Sequence, residues 1–263
     1  MTRLEEIGWR PELAEPLAAS GEGLRAARVV LAERGAWRLS YGDSEESAGV
    51  TGRLRHGARR GELPVVGDWV AVQGGVIQAV LPRRTLLVRR DADGSRTQAL
   101  VANVDVALVV MGLDGDFNLR RLERYLALVA AAGVRAAVVL SKPDLYPPGA
   151  RTAEVVAAAP GAAVLAVDLT ADVTPLAELL TPRETAVLLG SSGAGKSTLL
   201  NALLGAPVQK TAPVRAHDSR GRHTTTRRQL FRLPTGALVI DTPGLRAVDP
   251  SRLAPGETPA RRR

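Results

Sequence analysis

The sequence lacks cysteine, long hydrophobic runs and an export signal. With no cysteine among 263 residues, the chain can form neither a disulfide framework nor a thiolate metal site, and no zinc site is expected. Apolar segments such as 101–113 and 134–140 are shorter than the ~18 to 20 residues of a membrane span, so we expect a soluble protein with no membrane partner. The N-terminus carries early acids and no basic start before an apolar stretch, which agrees with a cytoplasmic location.

Positive charge is in excess. Lysine and arginine number 35 against 27 aspartates and glutamates, which gives a formal net charge of +8. Such a balance favours polyanionic partners, because each phosphate that is neutralised releases condensed counterions. An arginine-rich proteome would raise the charge of every protein in the same way, so this alternative stays open.

Residues 25–95 show short β-like runs broken by glycine, which predict a small antiparallel β-barrel of the OB-fold class. Residues 1–24 are assigned to an N-terminal helical extension. Two groups of arginines crowd the barrel segment and are candidates either for a nucleic-acid surface or for a solvated rim: Arg53, Arg55, Arg59 and Arg60, then Arg83, Arg84, Arg89 and Arg90.

Residues 96–249 change to apolar runs that alternate with helical patterns. ANVDVALVV is typical of a strand buried on both faces, and LRRLERYLALVAAAG carries leucine and alanine at helical spacing. The alternation predicts crossover units and a mostly parallel sheet, that is, an α/β domain. Residues 250–263 form a basic tail that is predicted to be disordered from its composition.

A phosphate-binding motif stands between a predicted strand and a predicted helix. GSSGAGKS at 190–197 fits G-x-x-x-x-G-K-[ST], a P-loop whose backbone amides face phosphate oxygens. Lys196 is expected to reach the β and γ phosphates and to assist catalysis, and the Ser197 hydroxyl to bind Mg²⁺. The nucleotide-binding residues predicted here are Gly190, Ser191, Ser192, Gly193, Ala194, Gly195, Lys196, Ser197 and Thr198.

Two tetrapeptides that follow apolar strands complete the predicted site. In DTPG at 241–244, Asp241 is expected to hold Mg²⁺ and the Gly244 amide to sense the γ phosphate. In SKPD at 141–144, Asp144 can accept hydrogen bonds from the N1 and N2 donors of guanine, and Lys142 can lay its stem over the base. Each tetrapeptide is also an ordinary turn, and only their combination with the P-loop favours the nucleotide interpretation.

SKPD at 141–144, the predicted base-reading loop, precedes the P-loop and DTPG. This is the order of motifs in a circularly permuted GTPase. With PVVGDWVAV, LPRRTLLVRR, FNLRRLERYLALV and GRHTTTRRQL in addition, residues 7–248 resemble the RsgA (YjeQ) family of ribosome small-subunit-dependent GTPases. The resemblance implies an OB-fold barrel followed by a permuted P-loop GTPase domain. It also implies hydrolysis of GTP to GDP with Mg²⁺, and late maturation of the small (30S) ribosomal subunit through 16S rRNA; a monomer is expected.

The resemblance makes GRHTTT at 221–226 the first switch. Thr225, with Thr224 beside it, is then expected to bind Mg²⁺ when the γ phosphate is present. Leu245 stands near the place of the water-orienting glutamine of classical GTPases, so His223 becomes the candidate for that role. The alternative is a basic, solvated loop.

The sequence departs from the family pattern in three places. Ser141 replaces the usual asparagine, and its shorter side chain is not expected to make the same bridge between base and P-loop. Residues 167–169 (Val-Asp-Leu) stand where a Ser-Ala signature supports the base. The chain ends 19 residues after Gly244, without the family's zinc-binding domain, so we expect a truncated or diverged member.

Two other functions stay open at this point. One is an ATPase with no preference for guanine. The other is a nucleotide-gated RNA-binding protein in which the barrel carries the function and turnover is small or absent. Since neither an arginine finger nor a catalytic glutamine is evident, unaided GTP hydrolysis is expected to be slow.

Overall fold

The computed structural model describes residues 2–33, 35–57, 63–90, 97–145, 149–208 and 227–242. Its strands are β1 (Arg25–Glu33), β2 (Ala36–Ser40), β3 (Glu45–Val50), β4 (Trp69–Gln73), β5 (Val76–Val80), β6 (Leu86–Arg90), β7 (Thr97–Ala102), β8 (Val106–Gly112), β9 (Arg135–Ser141), β10 (Ala163–Ala166), β11 (Thr185–Leu189), β12 (Gln229–Arg232) and β13 (Leu238–Asp241). Its α-helices are α1 (Ala14–Ala19), α2 (Gly52–Gly57), α3 (Leu119–Ala131), α4 (Ala150–Ala158), α5 (Thr174–Glu178) and α6 (Lys196–Leu204). Short 3₁₀ turns cover Glu5–Ile7, Pro11–Leu13 and Pro143–Leu145.

The first five strands close into a barrel. β1 pairs antiparallel with both β2 and β4, β2 with β3, and β4 with β5, while β3 and β5 pair in parallel. Val29, Leu39, Val70 and Ile77 fill the interior, each fully buried, because alternate side chains of these strands point inward. This closed five-strand arrangement is that of an OB-fold, so the predicted barrel class is confirmed.

The second half of the chain forms a doubly wound sheet with the strand order β10-β9-β8-β11-β13-β12. The first five strands of this order run parallel and β12 is antiparallel. β8 and β11 are buried along their whole length, because α3 covers one face of the sheet and α6 covers the other. The prediction of a mostly parallel α/β sheet is confirmed.

Backbone pairing joins the barrel to this sheet. Leu31 of β1 pairs with Gln229 of β12. The domain boundary predicted near residue 95 falls between β6 and β7. Because these two strands pair with each other, the hairpin joins the segment before the boundary to the segment after it. The loop before β4 approaches β7 so closely that a Cβ on Gly67, whose φ is +94°, would lie 2.1 Å from the Ala102 carbonyl oxygen. The domain limits themselves remain a prediction.

A buried arginine ties three parts of the fold together. Arg28 of β1 is 1% exposed and donates to the Ile7 carbonyl, to the Thr185 hydroxyl (2.8 Å) and to the Asn103 carbonyl (3.4 Å). Burial lowers the pKa of Arg28 to about 10, so its guanidinium stays charged at neutral pH. The N-terminal turn, the barrel and the start of β11 thus share one hydrogen-bonding centre.

The two arginine groups predicted for a nucleic-acid surface differ in their surroundings. Arg83 forms a two-point ion pair with the buried Asp68, with nitrogen–oxygen distances of 2.8 and 2.7 Å, and Arg84 lies 2.5 Å from Asp105. Arg53 and Arg55 are exposed on α2. Arg59 and Arg60 lie outside the described residues. Arg83 is therefore used within the fold, whereas α2 presents its arginines to solvent.

Candidate nucleotide-binding site

Three of the predicted loops start at the carboxyl ends of parallel strands. β9 ends at Ser141, β11 at Leu189 and β13 at Asp241, and β8 stands between β9 and β11 in the sheet. Because these strands are parallel, their carboxyl ends meet at one edge, which is where open α/β sheets bind ligands. The fold therefore brings the start of the base-reading loop, the P-loop and Asp241 to the same edge.

The P-loop depends on glycines for its path. Gly190 has a φ of +142°, and a Cβ there would lie 2.3 Å from the Val110 carbonyl oxygen of β8. Gly195, with a φ of +99°, stands against Leu169, whose Cδ1 would be 3.0 Å from such a Cβ. α6 begins at Lys196, so the loop leads directly into a helix N-terminus, where backbone amides and the helix dipole favour an anion.

Lys196 is held inside this loop. It is 7% exposed, and its Nζ donates to the carbonyl oxygens of Gly190 (2.9 Å) and Ser191 (2.5 Å). Burial lowers the pKa of Lys196 to about 8, against the opposing effects of the carboxylates of Asp241 and Asp116. The ammonium is therefore mostly charged at neutral pH, next to the amides that would face a phosphate.

The oxygen atoms near Lys196 suit Mg²⁺. Asp241 is 1% exposed at the end of β13, which packs against α6, and Ser197 is half-buried in the first turn of α6. The Thr242 hydroxyl donates to the Leu188 carbonyl (2.6 Å) and anchors the chain that follows Asp241 to β11. Carboxylate and hydroxyl oxygens are the ligands that Mg²⁺ prefers beside substrate phosphates, so this donor set fits the ion.

The base-reading loop touches the P-loop. The Ser141 hydroxyl donates to the Ala194 carbonyl (2.8 Å), and the Lys142 Nζ donates to the Gly193 carbonyl (3.1 Å). Ser141 therefore reaches the P-loop, because only β8 separates the two strands. Whether it also contacts the base, as a bridge requires, remains a prediction. Asp144 lies in the 3₁₀ turn after Lys142 and is exposed.

The segment after β10 is apolar where it meets the P-loop. Val167 and Leu169 are buried, and Leu169 is the residue that stands against Gly195. The Asp168 carboxylate points to solvent and accepts from the Thr170 hydroxyl (2.7 Å) and amide (2.9 Å), which lowers the pKa of Asp168. The resemblance noted from the sequence implies a Ser-Ala signature at these positions, and the structure has a buried leucine there instead.

Two acidic residues of the site were missed from the sequence. In the loop between β8 and α3, the Asp114 carboxylate lies 2.5 Å from the Lys142 Nζ, and the Asp116 carboxylate accepts from the Ser191 hydroxyl. Their one signal in the sequence is position, because they follow a fully apolar strand whose carboxyl end lies at the ligand edge.

Several predicted residues lie outside the described part of the chain: His223, Thr224, Thr225, Gly244, Leu245 and the tail 250–263. Their roles remain predictions. Among the described residues, no helix combines the length and the apolar character needed to cross a membrane.

Comparison with known proteins agrees with this geometry. A model of the RsgA GTPase family matches residues 80–251. Curated relatives named small ribosomal subunit biogenesis GTPase RsgA come from Syntrophotalea carbinolica, Opitutus terrae and Xylella fastidiosa. They are 43%, 46% and 43% identical, each over 92% of this chain and over 71%, 72% and 75% of their own length.

Solved structures share the fold. YjeQ from Thermotoga maritima matches with a TM-score of 0.62 and 22% identity, over 86% of this chain and 77% of that one. YloQ, described as a circularly permuted GTPase, matches with a TM-score of 0.55 and 23% identity, over 87% and 74%. The predicted fold class, an OB-like barrel before a permuted P-loop domain, is confirmed.

Proposed function

This chain belongs to the RsgA GTPase family, and on that premise we propose that it hydrolyses GTP to GDP and phosphate in the late maturation of the small ribosomal subunit. One observation carries most of the argument for a nucleotide that spans the two loops: the base-reading loop contacts the P-loop through Ser141–Ala194 and Lys142–Gly193. A purine beside the first loop would therefore have its phosphates beside the second.

The base and the phosphates are assigned to different residues in this proposal. Asp144 accepts hydrogen bonds from guanine N1 and N2, and the Lys142 stem covers the base. The P-loop amides of residues 191–198 hold the phosphates, and Lys196 moves from its carbonyl partners onto the β and γ oxygens. Adenine offers neither donor to Asp144, so it leaves a polar group unpaired.

The phosphate end of the proposed site also accommodates a metal ion. Ser197, Asp241 and Thr225 would hold Mg²⁺, which would supply positive charge to the substrate phosphates. Gly244 would sense the γ phosphate, and His223 would orient the attacking water for in-line attack. With Leu245 near the place of the glutamine and no arginine finger proposed, hydrolysis without a partner is slow.

The basic charge of the chain supports an RNA partner. The formal net charge is +8, and Arg53 and Arg55 are exposed on the barrel helix α2. We assign the small subunit, through 16S rRNA, as the partner that the monomeric protein binds in the cytoplasm.

Competition for labelled GDP tests the guanine assignment. We expect GTP and GDP to displace the label and ATP to leave it bound, because Asp144 meets the N1 and N2 donors of guanine, and adenine has neither donor. Asp144→Asn should weaken GDP binding by about 100-fold, since unpaired polar groups at a recognition site cost this much or more. The exposed Asp172, which accepts from the backbone of Thr174 two residues away, supplies the control Asp172→Asn, with unchanged affinity. Equal displacement by ATP would eliminate guanine specificity and favour the ATPase.

Phosphate release with and without purified small ribosomal subunits tests the ribosomal role. We expect subunits to raise GTP turnover at least about tenfold, because a partner supplies the missing transition-state contacts, as it does for other slow GTPases. Co-sedimentation with a non-hydrolysable GTP analogue should exceed that with GDP. Nucleotide-independent sedimentation without phosphate release would favour the RNA-binding alternative instead.

A further inference from the structure

The loop that joins β8 to α3, residues 113–118, lies between the two halves of the proposed nucleotide site. It carries Asp114 and Asp116, which contact different loops of that site. Asp114 reaches the base-reading loop through Lys142, and Asp116 reaches the P-loop through Ser191. Neither aspartate is part of the three motifs from which the site was predicted.

Asp114 is positioned for its contact by the backbone around it. Its Oδ1 accepts from the Asp116 amide (3.1 Å) and lies 2.6 Å from where a Cβ on Gly112 would stand. Partial burial alone would raise the pKa of Asp114, but the hydrogen bonds from Lys142 and from the Asp116 amide hold it below its usual value. The carboxylate is therefore ionised at neutral pH, and its Oδ2 faces the ammonium of Lys142 at 2.5 Å.

The Lys142 side chain needs contacts with other loops to stay in one conformation. Its side chain is flexible, and its backbone has a φ of +57°, a left-handed conformation that is uncommon for residues other than glycine. Its Nζ has two described partners, Asp114 and the Gly193 carbonyl. These two contacts draw the stem of Lys142 across the gap between the base-reading loop and the P-loop.

The loop that carries Asp114 is itself held from both sides. Arg151 of α4 donates to the Leu113 carbonyl (3.1 Å), and its guanidinium lies 4.5 Å from the centre of the Phe117 ring. At the other end, Asp116 forms an ion pair with Arg121 of α3 (2.8 Å) in addition to its bond with Ser191. Asp114 is thus carried on a braced loop and cannot follow Lys142 freely.

We propose that Asp114 is a positioning residue for purine binding. Asp114 fixes the Lys142 side chain in the conformation that covers the guanine base. The assignment rests on the proposed function, since it requires a guanine nucleotide between these loops. Asp114 acts through Lys142 and does not touch the base, so it adds affinity for guanine and hypoxanthine alike and leaves the choice between them to Asp144.

Asp114→Ala is expected to raise the Kd for GDP about tenfold, the effect of losing one hydrogen bond between charged groups. Asp114→Asn keeps an acceptor of the same shape and should fall between the wild type and Asp114→Ala. The matched control is Glu123→Gln on the exposed face of α3, which removes one negative charge from the neighbouring helix and should leave the Kd unchanged. Titration of labelled GDP measures all four proteins, with thermal unfolding as the test of folding.

A double-mutant cycle separates positioning from general damage. In the Lys142→Ala protein, the further change Asp114→Ala should have no additional effect on the Kd for GDP. In the Asp114→Ala single variant, the ratio of the Kd values for inosine diphosphate and GDP should equal that of the wild type. Additive losses, or an Asp114→Ala protein that binds GDP as the wild type does, would overturn the proposal. A wild-type protein that fails to bind GDP would instead refute the proposed function.

Discussion

Replacing Lys196 by methionine is expected to reduce GTP turnover by about 100- to 1,000-fold, the usual loss when one fixed charge-stabilising donor is removed from a transition state. Lys196 is 7% exposed. Methionine keeps an unbranched side chain at this buried position, but it carries no charge and no hydrogen-bond donor. Developing charge on the γ phosphate would then be met only by the loop amides and Mg²⁺. Phosphate release at saturating GTP measures the effect.

The matched control is Arg232→Met. Arg232 also carries a positive charge, but its partner is Glu6 at 2.8 Å, on the side of β12 that meets the N-terminal turn. Its loss should leave turnover within about twofold of the wild type, since an exposed ion pair contributes little. Turnover by Lys196→Met equal to that of the control would remove Lys196 from the catalytic residues and leave phosphate binding to the backbone alone.

The pH dependence of GDP binding supplies a second check on Lys196. In the nucleotide-free protein the pKa of Lys196 is about 8, so the ammonium loses its proton as the pH rises through that value. Phosphate binds the charged form, so wild-type affinity should fall above pH 8, while that of Lys196→Met should stay nearly level there. The difference in GDP affinity between the wild type and Lys196→Met should therefore become smaller at high pH.

Arg28→Ala is expected to lower the free energy of unfolding by about 3 kcal/mol, because it leaves buried acceptors unpaired and opens a cavity. The acceptors are the carbonyl of Ile7 and the hydroxyl of Thr185, with the Asn103 carbonyl at a longer distance. Burial of the guanidinium, which lowers the pKa of Arg28, costs free energy in the wild type and offsets part of the loss. The acceptors and the cavity dominate, since each orphaned group costs about 1 to 3 kcal/mol.

Urea denaturation with linear extrapolation measures this change. Arg38→Ala on the neighbouring strand β2 is the control, because Arg38 is exposed and its loss should change stability by no more than about 0.5 kcal/mol. If Arg28→Ala changes the free energy of unfolding by no more than the Arg38→Ala control does, Arg28 is not the centre that joins the N-terminal turn, the barrel and β11.

Much of the fold was predictable because its signals are local. Strands buried on both faces appear as unbroken apolar runs, as in β8, and the P-loop requires glycine at Gly190, where a Cβ would meet the Val110 carbonyl. The order of the motifs along the chain was enough to indicate a permuted domain. The base-reading tetrapeptide was weaker, since four letters typical of a turn acquire meaning only beside a phosphate loop.

Contacts between distant residues were beyond this kind of prediction. Nothing in an Asp-Gly-Asp turn says that Asp114 meets Lys142, which is 28 positions away, or that Asp116 meets Ser191, 75 positions away. The ion pair between the half-buried Arg83 and the buried Asp68 could not be predicted either, since an arginine in a basic stretch is equally typical of a solvated rim.

The amino-acid sequence by itself determined the barrel, the parallel sheet, the P-loop and the order of the nucleotide motifs, because backbone preferences and hydrophobic period act between chain neighbours. Only the tertiary structure decided that Ser141 reaches Ala194, that the β8–α3 loop braces both halves of the site, and that β1 pairs with β12. Those contacts depend on which strands become neighbours in the sheet, and this is set by burial of the whole apolar surface at once rather than by any single segment.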